Sequence, residues 1–101
     1  MSSNGEAPEL SVVIASVNGL PYPLACLEAL AAQEGDIRAE VVLADCTGAA
    51  TAAAVRERFP EVRLLSFAER RSVPALRAEG IRAARGRLVA VTEDHCVSRP
   101  D

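Results

Sequence analysis

The sequence predicts an α/β chain folded as a three-layer α/β/α sandwich around a parallel sheet. Three observations predict it. Short aliphatic runs recur at Ser11, Val41 and Leu88 (SVVIAS, VVLAD and LVAVTE), with the brief RLLS between the last two. Segments with helical spacing separate them, and the connections are short. Alternation of this kind implies parallel strands, right-handed crossovers and helices on both faces. The runs are apolar throughout rather than alternating, as strands covered on both sides are.

Met1 to Glu9 is polar and rich in Ser, Asn, Gly and Pro, so it is expected to be a disordered leader ahead of one domain spanning residues 10–101. Leu10 to Ala15 is the first expected strand, followed by a loop with Asn18, Gly19 and Pro21. Tyr22 to Gln33 forms a helix whose Leu24, Leu27 and Leu30 share one face, and Gly35-Asp36 ends it. Glu40 to Ala44 is the second strand, Ala49 to Phe59 an alanine-rich helix closed by Pro60, and Val62 to Ser66 the third strand. Ser72 offers an N-cap and Pro74 suits a first turn. Val73, Leu76, Gly80, Ile81 and Ala84 then trace a helix face, Gly86 is expected to end the helix as a C-terminal glycine, and Leu88 to Thr92 is the fourth strand.

The 101 residues suffice for one small core, and with aromatics at 3% that core must be aliphatic. A net charge of −3 makes no electrostatic case for nucleic acid or an acidic membrane, and no apolar run reaches the ~20 residues of a membrane span. Every basic residue is arginine, which removes a lysine nucleophile. Cys26, Cys46 and Cys96 have no C-x-x-C spacing, so a reducing, cytoplasmic setting is expected rather than a disulfide framework. A zinc site built on Cys46, His95 and Cys96 is weighed and set aside, because small buried cysteines are far commoner.

In parallel sheets ligands gather at the carboxyl ends of the strands. Asn18, Asp45 and Glu93-Asp94-His95 stand at those ends. Asp45 reads either as a turn carboxylate before Thr47-Gly48 or as an acceptor for a base or ribose. Glu93 and His95 would point one way along an extended segment and Asp94 the other. Such a pair suits a divalent ion that also takes diphosphate oxygens; the alternative is a solvated loop start. Arg77, on or beside a helix packing face, is either a snorkelling side chain or a phosphate or ribose contact. Arg70 and Arg71 read as solvated. The first loop, S-V-N-G-L-P, is no G-x-G-x-x-G, and there is no Walker-type loop, so common dinucleotide and NTPase sites are excluded.

Together these segments resemble the N-terminal half of the family-2 glycosyltransferases, whose Rossmann-like nucleotide-binding sheet is of the glycosyltransferase A type. SVVIASVNG resembles their opening strand and Asn-bearing loop. VVLADCTGAAT is similar to their second strand, which normally ends Asp-Asp-Gly-Ser; Ala44 replaces the first Asp and Asp45 keeps the second. PALRAEGIRAARGRLVAVTEDHC is similar to their Ala-Arg-Asn-x-Gly-Ile-x-x-Ala-x-Gly helix and next strand, with Ala78 where the family has Asn. The resemblance runs from Leu10 to the end.

It implies a nucleotide-diphospho-sugar donor, with Asn18, Asp45, Arg77, Glu93 and Asp94 around the nucleotide. Glu93 and His95 would stand at the ends of the family's Asp-x-Asp motif, which holds the ribose and a divalent metal, Mn or Mg. In this family the acceptor half and the general base lie downstream of that motif, so the chain is expected to be a donor-binding half. The acceptor is unknown, and self-association or completion by a partner half is expected. The other readings are a non-catalytic nucleotide-binding module and a flavodoxin-like regulatory domain.

Overall fold

A computed structural model describes residues 8–32 and 38–93. The elements are β1 (Leu10–Ser16), α1 (Tyr22–Ala31), β2 (Ala39–Asp45), α2 (Ala49–Arg58), β3 (Arg63–Ser66), α3 (Val73–Ala83) and β4 (Leu88–Glu93). Every expected element is present, with ends shifted by a residue or two. Pairing starts ahead of β1: Arg87 N–H donates to the Pro8 carbonyl (3.2 Å) and Glu9 N–H to that of Arg38 (2.9 Å).

The sheet is wholly parallel in the order β3-β2-β1-β4. The chain winds outward from β1 through β2 to β3, then returns to place β4 on the other side of β1. That reversal of direction makes the carboxyl ends of β1 and β4 the switch point at which parallel sheets take their ligands.

Side chains alternate across each strand. Ile14 and its register partner Leu43 turn toward α1 and α2 and join Cys26, Leu27, Val55 and Phe59 in one core. Ala15 and Ala44 turn the other way, toward Leu76 of α3, together with Cys46. Val13 faces α3 as well. A Cβ on Gly80 would lie 2.3 Å from Val13 Cγ1, so the helix settles on the sheet only because that side chain is absent. The two cores, one on each side of the sheet, complete the three layers.

α3 begins as expected, with Ser72 Oγ accepting the Ala75 N–H at 3.2 Å. Its end corrects the sequence reading. The helix stops at Ala83, Ala84 is already extended (φ −68°, ψ 141°), and Gly86 has no left-handed backbone. Gly86 serves close approach instead: a Cβ there would stand 2.6 Å from Ser11 N and 2.7 Å from Leu10 C. Its N–H donates to Ser11 Oγ (2.7 Å), and Ser11 donates to Glu40 Oε2 (2.5 Å).

Glu40 also receives the Arg85 N–H (2.6 Å) and lies 3.6 Å from Arg63 Nη1, so one carboxylate ties together three strands and the α3–β4 turn. Burial works to raise its pKa. The Ser11 hydroxyl, the Arg85 N–H and the two arginine charges outweigh that, holding it below the ordinary glutamate range.

Candidate functional site

The carboxyl ends of β1, β2 and β4 stand side by side, as the placement of β1 in the middle requires. In register, Ser16 opposes Asp45 and Ala15 opposes Glu93. Adjacent strands lie ~4.8 Å apart, so Asp45 and Glu93 flank β1 at close range. The pleat nevertheless sends them to opposite faces, Asp45 with Ser16 toward α2 and Glu93 with Ala15 toward α3. The expected group of residues is therefore divided by the top edge of the sheet.

On the α2 side, Asp45 is fully buried. Its Oδ1 accepts from Ser16 Oγ (2.7 Å) and Thr47 Oγ1 (2.7 Å), and its Oδ2 accepts the Thr47 N–H (3.0 Å). A carboxylate only accepts, so the Thr47 hydroxyl donates to Asp45 and takes its remaining bond, 2.7 Å long, from the Thr51 hydroxyl. This Asx-type turn delivers the chain to Gly48, whose φ of 116° and ψ of −173° belong to a region open essentially to glycine. The turn reading of Asp45 is thus realised in full. Ser16, Thr47 and Thr51 escaped the sequence reading, although the Asp-x-Thr spacing signals such a turn.

On the α3 side, Arg77 Nη2 reaches Glu93 Oε2 at 3.1 Å, with both side chains about one-third exposed. Arg77 is thus held by an ion pair. It lies along α3 with its cation at the strand ends. Its Nε is closed to solvent and has no hydrogen-bond partner among the described residues. A buried unpaired donor is costly, on the order of 1–3 kcal/mol, so an added acceptor is favoured at this point.

The two sides are joined by Cys46. Its backbone N–H donates to the Ser16 carbonyl (3.3 Å), and its Sγ accepts the Arg71 N–H (3.4 Å). Arg71, expected to be solvated, is instead built into the fold. Its guanidinium lies 4.1 Å from the Phe67 ring centroid and 3.4 Å from Glu79 Oε2, while Arg70 is exposed. Asn18 is exposed in the β1–α1 loop. Asp94, His95 and Cys96 lie outside the described residues. Among the described residues no three His, Cys, Asp or Glu side chains gather as a metal-ligand set.

A parallel sheet that winds outward on both sides of β1, with a paired arginine and glutamate at the carboxyl ends of its strands, defines an α/β protein of the Rossmann-like type. Residues 11–101 match Glycosyl transferase family 2, and the chain belongs to that family. It is 36% identical over 97 residues to the succinoglycan biosynthesis protein ExoO of Rhizobium meliloti (strain 1021). That match covers 95% of this chain and 28% of the relative, so the chain spans little more than a quarter of the relative's length.

Among solved structures it resembles a mannosyltransferase from Pyrobaculum calidifontis in complex with GDP-Man and Mn2+ (TM-score 0.74, 25% identity, 92% of this chain and 29% of that one). It also resembles residues 1–349 of TarS from S. aureus (TM-score 0.77, 20% identity, 88% of this chain and 28% of that one). The second likeness concerns the fold alone.

Proposed function

We propose that this chain binds a nucleoside-diphosphate sugar at the carboxyl ends of β1, β2 and β4, as the donor-binding part of a glycosyltransferase acting on an acceptor of unassigned class. The observation that carries the reading is the Arg77–Glu93 pair. A cation and an anion are presented together at the strand ends, about one-third exposed, in a chain whose family transfers sugars. A diphosphate would draw the Arg77 guanidinium and satisfy its Nε, because charge-assisted N–H···O contacts are the stronger class of hydrogen bond.

Glu93 would then be released to a divalent cation, Mn or Mg, with Asp94 and His95 following it. A hard cation takes oxygen ligands, and the donor's own diphosphate supplies those this chain does not. Such an ion, when bound, neutralises the departing diphosphate. Arg77 contributes to the same end by placing fixed positive charge where negative charge develops.

Asn18 would border the nucleotide from the β1–α1 loop. Asp45, spent on Ser16 and Thr47, would serve the nucleoside by fixing the turn on which it rests. No residue among those described takes the role of general base, so binding is the activity assigned to these residues and transfer is assigned to the longer enzyme type.

The buried thiols of Cys26 and Cys46, neither of them in a disulfide among the described residues, suit a reducing, cytoplasmic location. Among the described residues no helix is long and apolar enough to cross a membrane.

Amide hydrogen exchange tests the placement. UDP or GDP with Mn2+ should slow exchange around Ser16–Gly19, Asp45–Gly48, Arg70–Arg77 and Glu93. Protection confined to the opposite end of the sheet, where Leu27, Leu30, Ala39 and Phe59 line a hollow, would overturn it.

A further inference from the structure

Helix α3 is held on both flanks by ion pairs. Its Val73, Leu76 and Gly80 turn to the sheet. On one flank Glu79 takes Arg71 at 3.4 Å and Arg82 at 3.3 Å; on the other Arg77 Nη2 reaches Glu93 Oε2 at 3.1 Å. If that last pair opens, the helix stays seated, because Leu76 is fully buried and Ser72 caps the first turn. Only side chains need to turn.

The Arg77–Glu93 contact is a partial match. One guanidinium nitrogen meets one carboxylate oxygen, where a fork-on-fork contact uses two. Arg77 Nε, closed to solvent, has no hydrogen-bond partner among the described residues. Both side chains are about one-third exposed, and ion pairs so exposed are weak. The two charges therefore offset each other, yet either is readily exchanged for a better partner.

We propose that this pair is an internal lock on the donor site, in which each charge stands where the other's ligand is to go. The proposal rests on the donor reading above, with Arg77 for the diphosphate and Glu93 for the divalent ion. While the pair is closed, Arg77 covers Glu93 with positive charge and repels a cation. Glu93 does the same to a phosphate at Arg77. Each ligand, on arriving, frees the residue that the other needs.

Such coupling is reciprocal: whatever factor the ion adds to nucleotide affinity, the nucleotide adds to that of the ion. The lock thereby selects. A lone divalent ion, or a phosphate without one, meets a charge already engaged, whereas a metal-bound diphosphate brings both partners at once.

The lock gives each substitution a sign opposite to that of a simple contact. An exposed ion pair accounts for up to about fivefold in affinity, and the arginine's own repulsion of a cation adds to that. Arg77→Met should therefore bind Mn2+ alone about fivefold more tightly than the parent, or better still. Electron spin resonance of free Mn2+ reads this without nucleotide. Adding Glu93→Gln to Arg77→Met should abolish the gain, and Arg77→Lys, which keeps the charge, should bind Mn2+ as weakly as the parent.

Calorimetry reads the other half. Without metal, Glu93→Gln should take UDP or GDP, whichever the parent binds, more tightly than the parent does, and should lose most of the enhancement by Mn2+. Circular dichroism confirms that each variant is folded. Mn2+ binding by Arg77→Met no tighter than by the parent, or weaker metal-free nucleotide binding by Glu93→Gln, would overturn the lock. A parent that binds neither nucleotide overturns the donor reading instead, and the Mn2+ comparison, which uses no nucleotide, still decides the lock.

Discussion

Replacing Asp45 should cost stability before it costs binding. The carboxylate is fully buried and takes three donors: the Ser16 hydroxyl, the Thr47 hydroxyl and the Thr47 N–H. Asp45→Ala leaves all three facing a gap. Each orphaned donor costs ~1–3 kcal/mol, less where a water enters or a hydroxyl rotates, so a net loss of about 3–5 kcal/mol follows.

Asp45→Asn is milder. Its amide keeps one oxygen and can turn its –NH2 toward the hydroxyls, which rotate to accept, at a cost of about 1–2 kcal/mol. A domain of this size loses ~4–8 °C in Tm per kcal/mol. The asparagine variant should therefore melt roughly 10 °C lower, and the alanine variant should approach the whole ~5–15 kcal/mol stability of such a domain. Urea unfolding of the ligand-free chain measures both. If Asp45→Ala lies within about 0.5 kcal/mol of the parent, a range typical of exposed sites, the carboxylate does not hold the turn.

Further outcomes follow from the packing. Gly86→Ala should destabilise strongly, because its Cβ meets backbone at 2.6 Å and 2.7 Å. Gly80→Ala meets only the Val13 side chain and gains helix propensity of ~1 kcal/mol, which offsets part of an overpacking cost of ~1–3 kcal/mol. Adding Val13→Ala to it should show positive coupling in a double-mutant cycle. Glu40 has a depressed pKa, so its contribution is present above the ordinary glutamate value and is lost as pH falls through the lower folded value. Glu40→Gln should therefore be less stable than the parent near neutrality, with the gap closing as urea melts are taken toward about pH 3.

The strands were legible because apolar runs between helical segments admit little else, and Ser72 announced its helix by its place before Pro74. What escaped depends on contacts distant in sequence. Gly86 follows a helix and invites a capping role, but its requirement comes from Ser11, 75 residues earlier. Asp45 reads as turn or ligand, and the sequence holds no sign of the partner Ser16, 29 residues away, that consumes one side of it.

The sequence also set Asp45 and Glu93 at adjacent strand ends without revealing that the pleat turns them apart. In the sequence Arg77 and Glu93 stand out separately, each by its position. Only the placement of β4 beside β1, with α3 over both, made them a pair.

Calorimetric titration of UDP and GDP into the chain, with and without Mn2+, tests the donor site most directly. One of the two should bind, more tightly with the metal. Arg77→Ala should weaken that binding at least tenfold, since a hydrogen bond to a charged group is worth ~1.5–3 kcal/mol. His95→Ala should remove mainly the metal-dependent part. Absence of binding for both nucleotides under all conditions, or binding unaffected by Arg77→Ala, would contradict the assignment.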